Sequence, residues 1–452
     1  MPAVIILVLA IYFSAIAVEK KLNDNNSSEA RFLFWMGAGT DLMILLYFKY
    51  FIFTWDVIKQ YLNLEKSLIV PAGVAYYSLS LLGYLIDVYH KKYPAEKNLI
   101  DLCSFALFFP ALVEGPFGFY KKLSPQLKET HVFDWDRMVS GLQRVLWGYF
   151  KKIVIADRIG IVVMAILKDE NSGGVLIFSA MVLYSFQIYA DFSGGIDVIM
   201  GISEIMGISL HENFKSPLIS KSVTEYWARW HMSLGEWMEK VIYYPLVLNR
   251  KVMKLSKKIP NKFLSKTFSA TMASFVVFVI VGMWHGTGWN YVVYGLYQAI
   301  FVSSAILLKP TYEYVNKKLN INTENISWKL FQILRTFVIL VFGRYLIKAS
   351  NLSKAIELIK KTFLAWNPSV IWKSLPKDYG INPKEFLLML MLIALLYVVD
   401  VLHDKGVHFR ELLMKSNIVV RYAVYMLAIF TIIILGIYGK GYDASSFIYT
   451  NF

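Results

Sequence analysis

The sequence has little charge and almost no cysteine. Charged residues make up 17% of its 452 residues, whereas soluble globular domains carry about 25%. The single cysteine, Cys103, excludes an intrachain disulfide and argues against a cysteine-based metal site, so we expect no metal. A serine nucleophile elbow, a Walker A loop, an HExxH motif and a dinucleotide fingerprint are also missing, which argues against a hydrolase, an ATP-driven pump and a zinc protease.

Apolar residues, by contrast, form long uninterrupted runs. Hydrophobic residues make up 57% of the chain, and about 20 consecutive apolar residues suffice for one membrane-spanning helix. The sequence therefore predicts an all-α polytopic membrane protein with about ten or eleven transmembrane helices in one domain over 1–452. The predicted spans are 3–18, 32–53, 68–88, 140–167, 174–202, 268–284, 289–308, 328–348, 385–402 and 418–438.

The net charge of +15 does not indicate nucleic-acid binding, because the basic residues lie in short loops between the apolar runs. Such loops face the cytoplasm and contact anionic lipids. The segment 251–266 holds six lysines and no acidic residue, which places the 203–267 region in the cytoplasm. An anionic-ligand patch is the alternative for these lysines.

Two apolar regions do not fit plain spans. The stretch 105–120 contains Pro110, Glu114 and Pro116 with two glycines, and helix breakers at membrane depth favour a re-entrant element inside the protein. The stretch 211–250 is rich in tryptophan, tyrosine and basic residues, which is typical of an interfacial segment. Ser222 followed by Glu225 has the capping-box spacing, so we expect a helix to begin near Ser222.

His285 is the first candidate for chemistry. It lies between two apolar segments, beside a helix break supplied by Gly286 and Gly288. An ionisable residue at membrane depth indicates function, and burial favours the neutral imidazole that a general base requires. A core histidine hydrogen-bonded between helices is the alternative.

Three further candidates are ionisable residues beside or inside apolar segments. His231 stands two residues after Arg229, which could hold an anionic donor; an interfacial histidine is the alternative. Asp191 and Asp197 lie inside an apolar run, where each needs a partner such as Arg229, a backbone nest or a helix N-terminus. We expect Ser193, Gly194 and Gly195 to break the helix beside them.

Six segments cover most of the chain from about residue 70: SLSLLGYLIDVYHKK (78–92), FFPALVEGPFGFYKKLSPQL (108–127), QIYADFSGGIDVIMGI (187–202), ENFKSPLISKSVTEYWARWHMSLGEWM (212–238), VGMWHGTGWNYVVYGLYQ (281–298) and GYDASSFIYTNF (441–452). In this order they resemble the membrane-bound O-acyltransferase family, in its bacterial branch of alginate O-acetylation and teichoic-acid D-alanylation proteins. The chain departs from the family pattern in two places. Residues Pro245–Arg250 stand where many relatives have PLGGNR. The chain could also lack one or two helices that the family has at its N-terminus.

The resemblance implies tilted helices, with re-entrant and interfacial helices, around a central tunnel that links a cytoplasmic donor site to an outer acceptor site. His285 and His231 would be the catalytic histidines. Acetyl-CoA or a carrier-protein thioester would be a donor substrate, and no cofactor would stay bound. We expect substrate contacts from residues within the matching segments: Trp284, Asn290, Arg229, Trp230, Asp191 and Ser193.

The function implied is O-acylation, most simply O-acetylation, of a cell-surface or secreted polysaccharide at the bacterial plasma membrane. The lipid bilayer, an extracytoplasmic acyl-transfer protein and the polysaccharide would be partners. A second hypothesis is D-alanyl transfer to teichoic acid from an acidic carrier protein. A transporter or flippase is a third, because transporters also contain broken helices and charges at the midplane of the membrane.

Overall fold

A computed structural model describes residues 2–51, 73–112, 115–368, 379 and 381–438. Within these ranges the regular secondary structure is helical, and one isolated antiparallel β-bridge joins Phe214 to Trp230. The predicted all-α class is therefore confirmed. The C-terminal segment that resembled the family, 441–452, lies outside the described residues.

The chain forms two compact units. Unit 1 comprises Met1–Val145 and Val198–Glu212, and unit 2 comprises Leu146–Asp197 and Asn213–Phe452. The helices that begin in unit 1 are α1 Pro2–Asn23, α2 Ser27–Leu46 with a π turn Tyr47–Phe51, α3 Val74–Tyr89, α4 Leu99–Ala106, a 3-10 turn Phe109–Ala111, α5 Tyr120–Lys128 and α6 Trp135–Tyr149.

Unit 2 carries the remaining helices, of which α8 ends in the second segment of unit 1. They are a π turn Phe150–Ala156, α7 Asp157–Lys168, α8 Gly174–Ile205, a 3-10 turn Pro217–Ile219, α9 Val223–Arg229, α10 Met232–Met238, a π turn Glu239–Tyr243, α11 Tyr244–Val247, α12 Arg250–Ser256, α13 Lys262–His285, α14 Trp289–Leu307, α15 Lys309–Lys318, α16 Ile326–Lys348, α17 Leu352–Leu364, α18 Pro383–Asp404, α19 Phe409–Met414 and α20 Ile418–Leu435.

Asparagine fixes where many of these helices begin. The side chain of the N-cap asparagine accepts a hydrogen bond from a backbone N–H of the first turn, which would otherwise have no partner within the helix. Asn382 also completes a capping box with Glu385. The helix-capping asparagines are Asn26, Asn98, Asn249, Asn261, Asn325, Asn351, Asn382 and Asn417.

Eight of the described helices are long and apolar enough to cross a membrane, and two shorter apolar helices accompany them. This confirms a polytopic membrane protein. The predicted span 140–167 is helical throughout its length but contains the π turn Phe150–Ala156 with two lysines, and it is not among the eight. The predicted span 68–88 corresponds to α3, and its residues 68–72 lie outside the described residues. Residues 52 and 53 of the predicted span 32–53 also lie outside them.

The stretch 105–120 is not a single helix. Helix α4 ends at Ala106, the 3-10 turn follows, and α5 begins only at Tyr120. The interruption by helix breakers was predicted correctly, whereas Glu114 lies outside the described residues.

The predicted helix break at Ser193–Gly195 is wrong, because α8 continues through all three residues. A glycine is needed here for close packing. A Cβ atom at Gly194 would lie 2.9 Å from the carbonyl oxygen of Gly148 and 3.1 Å from the backbone nitrogen of Lys152. Tertiary contact with the π turn thus outweighs the low helix propensity of glycine.

Helices α13 and α14 form an antiparallel hairpin at close range. A Cβ atom at Gly282 would lie 2.5 Å from the carbonyl oxygen of Tyr291 and 2.7 Å from the Cα atom of Gly295. Small residues at such crossings let membrane helices approach closely. The hairpin positions the C-terminal end of α13, and with it His285.

We therefore predict that Gly282→Ala destabilises the protein by about 1–3 kcal/mol, since its methyl group overpacks the hairpin. Gly39→Ala is the matched control: Gly39 is also helical, but nothing lies within 4 Å of its Cβ position. Thermal melting of both purified variants in detergent measures the difference. Equal melting temperatures would show that the hairpin has room to relax.

Candidate active site

The two candidate histidines meet at one tryptophan. The ring centroid of Trp284 lies 5.9 Å from that of His231 and 5.0 Å from that of His285. All three side chains are buried within unit 2, with exposed fractions of 8%, 1% and 4% for Trp284, His231 and His285. Residues that are 54 positions apart in the sequence are therefore brought together.

His285 occupies the last position of α13, as the sequence predicted. Gly286 continues the chain in an extended conformation, and α14 begins at Trp289. The ring of His285 also meets the edge of the Tyr294 ring at 6.2 Å. The helix end therefore places an imidazole inside the protein among aromatic rings.

Asn290 fixes the start of α14. Its side-chain amide donates to the carbonyl oxygens of Leu346 at 2.9 Å and Ala349 at 3.2 Å, at the end of α16. This supplies partners for carbonyls that a helix end leaves unsatisfied. Among the described residues the buried Oδ1 atom of Asn290 has no hydrogen-bond partner, so one acceptor remains for a substrate hydroxyl or a water.

A backbone clamp holds His231. The N–H of Lys215 donates to the carbonyl of Arg229, and the N–H of Met232 donates to that of Asn213. Asn213 Oδ1 also accepts from the N–H of Ser233 at 3.0 Å and lies 3.4 Å from His231 Nδ1. His231 itself has a φ of +50°, a left-handed conformation that is uncommon for residues other than glycine.

Burial sets the charge of His231. It lowers the pKa of the His231 imidazole from 6.5 to about 3, because desolvation disfavours the charged form. The ring is therefore neutral at physiological pH. The alternative of a solvated interfacial histidine is excluded by its 1% exposure.

Trp230, the residue before His231, lies in an aromatic cluster. Its ring stacks on Tyr226 with centroids 5.5 Å apart and meets the edge of Phe214 at 5.0 Å. Phe192 of α8 contacts both Trp230 and His231. Tyr226 and Trp230 belong to the segment 211–250, which was predicted to be interfacial, and both are buried inside the protein.

Asp191 and Ser193 lie on α8 on either side of Phe192, and both are buried. Asp191 pairs with Lys152 at 2.6 Å, and Lys152 also pairs with Asp157 at 2.9 Å. Ser193 accepts from Lys151 at 2.8 Å, and Lys151 pairs with Asp197 at 2.7 Å. The partner of Asp191 is therefore a lysine of the π turn Phe150–Ala156 and not Arg229.

Arg229 is held by two carboxylates. Its guanidinium lies 2.9 Å from Glu225 and 2.5 Å from Asp404. Burial alone would lower the pKa of Arg229, but Asp404 and Glu225 more than offset this effect and raise it. Two acidic neighbours weaken the prediction that Arg229 attracts an anionic donor.

Among the described residues, sequence reasoning missed four buried cations: Lys151, Lys152, Arg158 and Arg344, with exposed fractions of 4%, 3%, 6% and 2%. Each lies within a predicted span, and an ionisable residue in such a place indicates function by default. This criterion was applied to the acidic residues but not to the basic ones. Among the described residues, no group of three or more histidine, cysteine, aspartate or glutamate side chains could hold a metal ion.

Comparison with known proteins identifies relatives. The profile of the membrane-bound O-acyltransferase family matches residues 95–346. A probable alginate O-acetylase of Pseudomonas putida is 30% identical over 336 residues, covering 73% of this chain and 64% of the relative. A peptidoglycan O-acetyltransferase of Helicobacter pylori is 25% identical, covering 72% and 63%. A teichoic acid D-alanyltransferase of Bacillus subtilis is 28% identical, covering 62% and 69%. The chain thus spans less than two thirds of its alginate relative.

The lowered pKa of His231 predicts an acid-sensitive fold. In the unfolded chain its pKa returns to about 6.5, so between pH 3 and pH 6.5 the unfolded chain binds more protons and the fold loses stability as the pH falls. On going from pH 7 to pH 5, His231→Gln should lose about 2 kcal/mol less stability than the wild type. Thermal melting at both pH values tests this, with exposed His90→Gln as the control. An unchanged pH response in His231→Gln contradicts the assignment.

The buried ion pairs predict a large effect of removing one partner. Lys152→Met leaves Asp191 and Asp157 without their shared cation and should destabilise the protein by about 3–5 kcal/mol. Lys354→Met removes the exposed pair with Glu357 and should change little, because surface ion pairs contribute little. Melting curves of the two variants compare them directly. If both variants lose a similarly small amount of stability, water solvates the buried pairs.

Proposed function

Since the chain belongs to the membrane-bound O-acyltransferase family, we propose that it is a membrane O-acyltransferase. It moves an acyl group, in the simplest case acetyl, from a cytoplasmic thioester to a hydroxyl of a cell-surface or secreted polysaccharide. The family profile covers residues 95–346, which include both histidines. O-acetylation is favoured because the alginate and peptidoglycan relatives are named for it.

The observation that supports this proposal most is the enclosure of His285 beside Trp284 and His231. Acyl transfer to a hydroxyl needs a base that is uncharged before the reaction and shielded from water, since water would compete with the acceptor. The imidazole of His285 lies at the end of α13, where Gly286 leaves the helix in an extended conformation.

The proposed reaction has two steps, attack on the thioester and loss of the thiolate. His285 takes the proton of the acceptor hydroxyl while its oxygen attacks the thioester carbonyl. The carbon–sulfur bond then breaks, and the thiolate receives the proton from the His285 imidazolium. His231, with a pKa of about 3, stays neutral and contributes hydrogen bonding and orientation in place of proton transfer.

Acetyl-CoA is the proposed donor, and no cofactor is needed because the thioester already carries the activated acyl group. A separate extracytoplasmic protein would deliver the acyl group to the polymer. The lysines of 251–266, placed in the cytoplasm, would lie on the donor side. D-alanyl transfer from an acidic carrier protein is the second candidate, favoured by the Bacillus subtilis relative.

Membership in an acyltransferase family argues against the third hypothesis, a transporter or flippase. Its support came from broken helices and charges at membrane depth. Of these, the break near Asp191 is absent because α8 is continuous, and the charges of Asp191 and Asp197 are paired with lysines. Among the described residues, breaks remain beside His285 and between α4 and α5.

We predict that His285→Ala inserts and folds but lowers acylation by about 10²-fold to 10⁴-fold, the contribution of a positioned base. Mass spectrometry of surface polysaccharides from cells with and without the gene would show whether acetyl or D-alanyl esters depend on it. The same measurement on the variant, normalised to its level in the membrane, tests the histidine. His90→Ala, which changes an exposed histidine, is the control.

The outcomes separate the candidates. Loss of acetyl esters with the gene supports O-acetylation, and loss of D-alanyl esters supports the second candidate. Wild-type ester levels in His285→Ala would remove His285 from the mechanism. No change in either ester on deleting the gene would end the acyl-transfer proposal.

A further inference from the structure

Arg344 is a buried cation in the middle of unit 2. It lies near the end of α16, within a helix that is long and apolar enough to cross a membrane, and only 2% of it is exposed. Placing a guanidinium in such a region is costly, so its contacts should explain why it is there. Those contacts are with aromatic residues of two other helices.

The first set of contacts leads to His231. Arg344 Nη2 donates to the hydroxyl of Tyr226 at 2.7 Å. The guanidinium carbon also lies 5.9 Å from the Tyr226 ring centroid and 5.6 Å from that of Trp230, which are cation–π distances. Tyr226 belongs to α9, and Trp230 is joined directly to His231.

The second contact leads to His285. The backbone of α16 packs on Tyr294 of α14 at this point, since a Cβ atom at Gly343, next to Arg344, would lie 3.3 Å from Tyr294 Cε2, and Arg344 interacts with the Tyr294 hydroxyl. The Tyr294 ring meets the His285 ring at 6.2 Å in an edge-on geometry. One guanidinium thus reaches a neighbour of each histidine, on two segments that are far apart in the sequence.

Arginine suits this task better than other residues. Its planar group offers five donors in fixed directions and two faces that pack on aromatic rings. A lysine ammonium is a point charge that cannot span two hydroxyls with the same geometry. Because the site needs its two histidines at a fixed separation, a residue that ties both neighbours together affects the reaction without touching the substrate.

We propose that Arg344 is a positioning residue of the candidate active site, which fixes the His231 segment against the His285 segment by holding Tyr226 and Tyr294. The consequence for turnover rests on the proposed acyl-transfer function. The consequence for geometry does not, so the two can be tested separately.

The geometric test uses Trp284 as the reporter, because its ring lies between the two histidines. The full chain is labelled with fluorotryptophan and studied by ¹⁹F NMR in detergent, with the Trp284 and Trp230 signals assigned by Trp→Phe substitution. Arg344→Met should shift or broaden the Trp284 signal. The control, Arg335→Met, changes an arginine of the same helix that donates to the backbone of Lys221, and should leave that signal in place.

The kinetic test measures release of the CoA thiol from acetyl-CoA by the same purified proteins in the presence of the polysaccharide whose hydroxyl accepts the acetyl group. Arg344→Met should lower kcat by about 10²-fold, the effect of displacing a reacting group by about 1 Å, with KM unchanged within about twofold. Arg344→Lys should recover part of the rate. Tyr226→Phe should lower kcat by itself but cause no further loss in the Arg344→Met protein, since both changes remove one contact.

The results separate two failures. If the wild type does not turn over acetyl-CoA, the donor assignment fails, and the Trp284 signal alone decides the role of Arg344. An unchanged Trp284 signal in a folded Arg344→Met protein overturns the proposal, as does an unchanged kcat in an active enzyme. If Arg344→Met does not fold, Arg344→Lys and Tyr226→Phe replace it in both measurements, and wild-type behaviour of both overturns the proposal.

Discussion

Buried polar groups of this protein must find their partners within the protein, because apolar helices leave little water to solvate them. Unit 2 meets this constraint with a small number of side chains that each bind more than one partner. Lys152 serves two aspartates, and the Asn290 amide serves two carbonyls. The positions of α7, α8, α14 and α16 depend on these shared contacts, and so does the site that they enclose.

The site combines the end of one helix with the start of another. At His285 the helix stops because Gly286 continues in an extended conformation. At His231 a helix starts after a left-handed residue, which the clamp from Asn213 to Lys215 holds in place. Left-handed backbone in a non-glycine residue costs of order 1–3 kcal/mol and persists only where the surroundings enforce it. The enforcing groups here are backbone hydrogen bonds and the Asn213 side chain.

The sequence predicted the helical class, most membrane-spanning segments and the helix end at His285, because each depends on local patterns of apolar and helix-breaking residues. It did not predict how the spans pack. Gly194 favours a local break, but it permits contact with the π turn and the helix continues. Arg229 was one of three possible partners given for the aspartates, and the structure pairs them with lysines. An aromatic-rich segment can lie at the interface or be buried in the protein, so the sequence did not predict that Trp230 is buried. The tunnel, the number of domains and the substrate contacts stay predictions.

The strain and the low pKa at His231 have a common cause. The clamp turns the imidazole inward against Phe192 and Trp284, where water cannot stabilise its charged form, so the same hydrogen bonds that hold the unusual backbone also keep the ring neutral. A neutral ring offers one donor and one acceptor in fixed directions, which suits orientation of a substrate. An imidazole whose pKa is lowered to about 3 is a weak base at neutral pH, which is why the proposed mechanism gives the proton of the acceptor hydroxyl to His285.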